Sequence, residues 1–151
     1  MYKRQRPDMA LFKITKAILE NKKIDIYNNG NMYRDFTYID DIVNGIHLLI
    51  NKVPNNNQFN KYNNDSLSPV APFRILNIGN MKKISLLDFI KQIEKGLGKK
   101  AIRNYMPLQK GDVKQTLSNI KLLKKITNYK PKTSYKLGIK KFLNWYKDYY
   151  K

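Results

Sequence analysis

A chain of 151 residues with 42% apolar side chains has the length of one ordinary domain, and enough apolar content for a core if every apolar face finds a partner. With no Cys and one His, a disulfide framework and a thiolate metal site are excluded, and little is left for imidazole chemistry. The formal charge of +19 would usually call for nucleic acid or an anionic membrane, but 25 Lys against 5 Arg are spread from Lys3 to Lys151 among 18 Asn, so a solvated lysine-rich surface is expected and a basic nucleic-acid-binding module is the alternative.

No stretch approaches the roughly 20 apolar residues of a membrane span, and the first residues lack the apolar core of a signal peptide; a cytoplasmic protein is expected. Met1 to Gln5 supply no strand, cap or apolar run, which reads like a cut edge. From Met9 to about Glu20, Leu11, Ile14, Ala17 and Ile18 recur at helical spacing, with Asp8 placed to cap the first turn. Ile24 and Ile26 then alternate with Lys23 and Asp25. Asn28-Asn29-Gly30 supplies the positive-φ residues of a tight turn, so a hairpin returning over Met32 to Tyr38 is expected.

Asp40 and Asp41 suit the first turn of a helix whose apolar positions Ile39, Ile42, Val43, Ile46, Leu49 and Ile50 run to Lys52. Helix-start capping is favoured for them over acid/base work. His47 on that helix has no acidic or second His partner near it in sequence, so packing or a surface position is favoured and no metal is expected. Residues 55–72 are polar and aperiodic and read as a long, mobile surface loop.

Phe73 to Gly79 reads as a short strand, and Ser85-Leu86-Leu87-Asp88 as a cap opening a helix that stops at Gly96 or Gly98. Extended chain from Ala101 to Leu108 precedes a turn at Gln109-Lys110-Gly111-Asp112. Helices follow near Asn119 to Thr127 and Tyr135 to Tyr150, the last with Ile139, Phe142, Leu143, Tyr146 and Tyr150 on one face. Trp145, Tyr146, Tyr149 and Tyr150 could stack on bases, but their helical spacing favours core and subunit packing. Alternating strands and helices place the chain in the α/β class with few buried central strands, so the sheet is expected to be incomplete.

Five collinear motifs, Arg6-Pro7-Asp8-Met9-Ala10, Arg34-Asp35-Phe36-Thr37-Tyr38-Ile39-Asp40-Asp41-Ile42-Val43, Asn77-Ile78-Gly79-Asn80, Leu108-Gln109-Lys110-Gly111-Asp112-Val113 and Trp145-Tyr146 with Tyr149-Tyr150, carry a resemblance from about Arg6 to Lys151. The chain resembles the carboxy-terminal half of UDP-glucuronate 4-epimerases, in the extended short-chain dehydrogenase/reductase superfamily. The resemblance implies a partial fold of that kind over residues 1–151: a small substrate-binding domain plus returning elements of a Rossmann domain whose main part is absent. It also implies NAD as cofactor, held by an amino-terminal half, and a Tyr-x-x-x-Lys pair that oxidises C4 of the sugar. Neither that pair nor a glycine-rich loop after a strand is present in this sequence.

By position, Arg6 resembles the arginine that faces the sugar carboxylate and Arg34 the one on the pyrophosphate. Asp112, with Gln109 and Lys110, resembles the loop that holds the uridine ribose and phosphates, and the strand from Ile24 to Asn28 the one whose backbone meets uracil. The residue types suit those ligands, since arginine forks match carboxylate and phosphate while a carboxylate accepts from paired hydroxyls. The implied partner is UDP-glucuronate or a related UDP-sugar, and the implied activity that of an epimerase, inactive as an isolated chain. Family members often form homodimers, and a separate chain could supply the Rossmann half. Without that half, the apolar faces of Ile39 to Lys52 and Phe73 to Gly79 would be left bare, and marginal folding is expected.

Overall fold

The computed structural model describes residues 8–55, 62 and 65–150. They fall into two compact units, one built from residues up to Arg34, Lys83–Thr116 and Ser134 onward, the other from Asp35–Lys82 and Leu117–Thr133.

In the first unit, helix α1 (Ala10–Leu19) buries Phe12, Ile14 and Ile18, the residues its 3.6-residue period brings to one face. Met9, in extended backbone, occupies its N-cap position. Strand β1 (Lys23–Ile26) alternates exposed and buried, with Ile24 and Ile26 inward.

The expected hairpin does not form. Tyr27–Gly30 coils into a 3-10 turn in which Asn28 (φ 51°), Asn29 (φ 50°) and Gly30 (φ 83°) all lie in the left-handed region, one residue too many for a two-residue hairpin turn. The Asn29 N–H donates to the Met106 carbonyl at 3.1 Å, which continues the pairing of β1 with a different strand. β1 therefore pairs in parallel with β4 (Ile102–Tyr105), Lys23 opposite Ile102 and Ile26 opposite Tyr105. Strand β2 (Tyr33–Arg34) instead pairs antiparallel with β3 (Ile84–Ser85). Gly30 is required twice over, because a Cβ there would lie 2.7 Å from the Leu87 side chain.

Helix α3 (Leu86–Leu97) opens where Ser85 Oγ accepts from the Asp88 N–H at 3.0 Å and closes on Gly98 at φ 69°, the capping and stop signals expected. It packs against α1 and against α5 (Tyr135–Tyr149), where Ser134 Oγ caps the Leu137 N–H. α5 buries Ile139, Phe142, Leu143 and Tyr146. Phe142 and Tyr146 pack in the core, with Phe12 edge-on to Tyr146 at 5.1 Å, whereas half-buried Trp145 stacks at 5.4 Å on Tyr149, which like Tyr150 is exposed.

Glu94 on α3 is buried and takes the Ala101 N–H at 3.0 Å and the Arg103 guanidinium at 2.9 and 3.1 Å. Burial by itself would raise its carboxyl, but those donors outweigh it and hold the group below the usual carboxylate range.

In the second unit, helix α2 (Ile39–Leu49) and helix α4 (Lys121–Thr127) gather around Ile120, Leu123 and Tyr129, with Leu48, Leu49, Leu76, Ile78 and Met81 packed beside them. Gly45 lets α2 approach closely, since a Cβ there would lie 3.0 Å from Ile78 and 3.3 Å from Tyr129. Asp41 is buried and accepts the Lys132 N–H at 3.0 Å and the Thr133 N–H at 2.9 Å, so it is structural, as expected, but through a distant segment. His47 is exposed.

Asp35 is the second such anchor, accepting from the backbone N–H groups of Met81 (3.0 Å), Lys82 (3.4 Å) and Ser118 (3.1 Å) and from the Ser118 hydroxyl. Part of the expected loop over 55–72 lies outside the described residues. Its described end is organised, with Asp65 and Arg74 joined by two parallel bonds of 3.0 Å and their side chains 4% and 2% exposed.

The strand expected over Phe73 to Gly79 is a correction: the segment carries a strand's alternation of exposed Phe73 and Ile75 with half-buried Arg74 and Leu76, but no strand among the described residues pairs with it. A ladder needs a neighbour as well as a pattern. Among the described residues no helix is long and apolar enough to cross a membrane.

Candidate functional site

Arg34 sits at the end of β2, on backbone that is held from both sides. β3 pairs with it on one edge, with Tyr33 opposite Ser85 and Arg34 opposite Ile84. On the other, the Tyr33 N–H donates to the Lys114 carbonyl at 2.9 Å and the Thr116 N–H donates to the Tyr33 carbonyl at 3.2 Å. A strand two residues long is thus clamped between segments roughly 50 and 80 positions further along, which fixes where the Arg34 side chain starts.

The guanidinium is oriented in turn. Nη1 donates to the Tyr33 carbonyl at 2.9 Å and Nη2 to Asp112 Oδ1 at 2.9 Å. Both partners of the Arg34–Asp112 pair keep about a third of their side chains exposed, 30% and 34%, so the pair is open to solvent and to a ligand. Its stabilising value is small on that account; its geometric value is that a planar cation is held in a defined place.

Asp112 reaches this position through the turn its sequence foretells. Its N–H donates to the Gln109 carbonyl at 3.2 Å, and Gly111 takes φ 82°. Oδ1 also accepts the Val113 N–H at 2.9 Å, so one carboxylate oxygen serves both contacts and Oδ2 has no donor among the described residues. Gln109 and Lys110 lie in the same turn with exposed side chains.

Of the five site residues read from the sequence, the structure brings Arg34 and Asp112 into contact across 78 positions, and places Gln109 and Lys110 within the turn that carries Asp112. Arg6 lies outside the described residues. The sequence reading missed Tyr33, whose carbonyl orients Arg34, and the 114–116 segment that clamps it. No residue-type signal marks a carbonyl, and only an aligned pair of short strands would have pointed to it.

The description NAD dependent epimerase/dehydratase family matches residues 2–63, which include β2 and Arg34. A protein from Staphylococcus aureus named CapI is 48% identical over 97% of this chain, and a probable UDP-glucuronate 4-epimerase from Rhizobium meliloti is 43% identical over 97% of it. The chain spans 44% and 43% of the length of these two relatives.

Among solved structures, a UDP-glucuronic acid 4-epimerase from Bacillus cereus, in complex with UDP-glucuronic acid and NAD, is 31% identical with a TM-score of 0.78 over 97% of this chain and 42% of that one. A UDP-glucose 4-epimerase from Thermotoga maritima shares the fold at 20% identity and a TM-score of 0.77. Sequence and fold agree over the same mixed architecture of short strands and flanking helices: along nearly its whole length the chain is similar to NAD-dependent nucleotide-sugar epimerases, and it spans less than half the length of the relatives it matches.

Proposed function

We propose that this chain is the UDP-sugar-gripping portion of a UDP-glucuronate 4-epimerase, which interconverts UDP-glucuronate and UDP-galacturonate. In this reading Arg34 binds the diphosphate and Arg6 the uronate carboxylate, while Asp112, with Gln109 and Lys110, holds the uridine ribose and the phosphates. The observation that carries it is the Arg34 fork held at 2.9 Å by Asp112 on a strand clamped from both edges, in the segment that the family description covers. A guanidinium placed in advance gives up little side-chain freedom when an anion arrives, and a half-exposed one can receive it.

NAD belongs to the remainder of such an enzyme. A dinucleotide is held where a strand runs through a glycine-rich turn into a helix N-terminus. Here β1 leads into the 3-10 turn Tyr27–Gly30 and then β2, and β4 leads into extended chain, so no described strand offers that arrangement. When bound elsewhere, NAD supplies the hydride acceptor for the C4 carbon; the residues of this chain bind and orient the nucleotide sugar.

Titration calorimetry of the chain with UDP-glucuronate tests this reading. Arg34→Ala is expected to weaken binding by roughly 10- to 100-fold, the range for losing a charge-assisted bond to phosphate, with Arg34→Lys recovering only part because it lacks the fork. Equal affinity in parent and Arg34→Ala, or no binding by the parent, overturns the proposal.

A further inference from the structure

The Arg34–Asp112 pair fixes a cation and cancels its charge in one contact. Of the guanidinium's N–H donors, one meets the Tyr33 carbonyl and one meets Asp112 Oδ1, each at 2.9 Å, so others are left for a ligand. Charge is another matter. A carboxylate one hydrogen bond away leaves the pair with no net charge, and both side chains keep about a third of their surface in solvent. A small anion approaching through water is drawn by one partner and repelled by the other, and the weak remainder is screened by salt.

Asp112 does not simply swing aside. Its Oδ1 also accepts the Val113 N–H at 2.9 Å, inside a turn closed by the Asp112 N–H on the Gln109 carbonyl and by Gly111 at φ 82°. The carboxylate therefore stays beside Arg34, while Oδ2 has no donor among the described residues. A ligand that joins a phosphate to a hydroxyl satisfies both halves, the phosphate taking spare N–H groups of Arg34 and the hydroxyl donating to Oδ2. Lys110 and Lys114, exposed two positions either side of Asp112, attract any anion alike and do not make that distinction.

We infer that Asp112 is a built-in competitor for Arg34: it withholds the guanidinium from inorganic phosphate and diphosphate, and admits ligands in which a diphosphate is joined to a sugar hydroxyl, as in a nucleoside diphosphate. The inference rests on the functional reading above for the ligand that is admitted, and on the ion pair alone for the anions that are excluded. In a site built only to attract phosphate, a carboxylate against the arginine would be a defect; here it is a filter.

The test is calorimetric titration of the chain with inorganic diphosphate at constant ionic strength. Asp112→Asn keeps an oxygen for the Arg34 and Val113 N–H groups but removes the charge, and it is expected to bind diphosphate at least about tenfold more tightly than the parent. Glu20→Gln removes an exposed carboxylate that pairs with Lys22 at the end of α1 and raises the net charge equally; it is expected to leave that affinity within about twofold. Adding Arg34→Ala to Asp112→Asn is expected to abolish the gain. No gain in Asp112→Asn, an equal gain in Glu20→Gln, or a gain that survives the loss of Arg34 overturns the inference.

Asp112 is partly exposed, so Asp112→Asn should melt where the parent does; if it melts lower, Asp112→Ser repeats the comparison with the same gain expected. Titration with UDP-glucuronate separates the two readings. Asp112→Asn is expected to weaken its binding while strengthening that of diphosphate, because an amide nitrogen then stands where Oδ2 accepted. A diphosphate gain in a chain that never binds UDP-glucuronate defeats the functional reading alone. Binding of UDP-glucuronate that depends on Arg34, with no diphosphate gain in either variant of Asp112, defeats the inference alone.

Discussion

Two carboxylates of this chain show how neighbouring groups set what a residue type can do. Asp112 is partly exposed and shares its charge with Arg34, whereas Glu94 is buried under the Ala101 N–H and the Arg103 guanidinium. The first is suited to exchange its partner for a ligand and the second to hold structure. Because the folded state keeps the Glu94 carboxyl below its usual value of 4.5, it adds stability above that pH, and the contribution is lost as pH falls through the lower folded value. Glu94→Gln is expected to cost roughly 1.5–3 kcal/mol at pH 7 and to flatten the loss of stability between neutral pH and pH 3. Thermal melts across that range check it; an unchanged acid limb contradicts the assignment.

At the scale of elements, capping chemistry explains where two helices begin. Ser85 caps α3 and Ser134 caps α5, each accepting the N–H three residues on, at 3.0 and 3.2 Å. Ser85→Ala is expected to destabilise the chain by about 1 kcal/mol, and because Ser85 also lies in β3, opposite Tyr33, a loss of UDP-glucuronate affinity without loss of fold would show that β3 supports the placement of Arg34. Chemical denaturation and calorimetry on the same variant distinguish the two effects. α2 has no side-chain cap, but its first-turn Asp40 and Asp41 suit the positive end of the helix dipole.

For the whole molecule, the consequence of the proposed function is a division of labour. In that reading Arg34 and the turn that carries Asp112 take the nucleotide sugar, while the described strands offer no dinucleotide cradle and the sequence holds no Tyr-x-x-x-Lys pair. Incubated with UDP-glucuronate and NAD, it is expected to give no 4-epimer detectable by chromatography, and to give it once the complementary portion is present. Product from the chain alone would contradict that reading.

Local signals determined much of the outline. Helical periodicity foretold α1, α2 and α5, Ser85 and Gly98 bracketed α3, and the glycine turn that carries Asp112 was visible in Gln109 to Asp112, because each depends on residues a few positions apart. Partnership was not visible. Asn28-Asn29-Gly30 has the composition of a hairpin turn, yet β1 found β4 some 80 positions away, and Phe73 to Gly79 has the pattern of a strand without a ladder partner among the described residues. Likewise Arg34 and Asp112 stood out only as separate motifs; that they share one hydrogen bond follows from two short strands meeting the 114–116 segment. Hydrogen bonds between distant segments depend on how the backbone is routed, and no short-range pattern of side chains specifies the route.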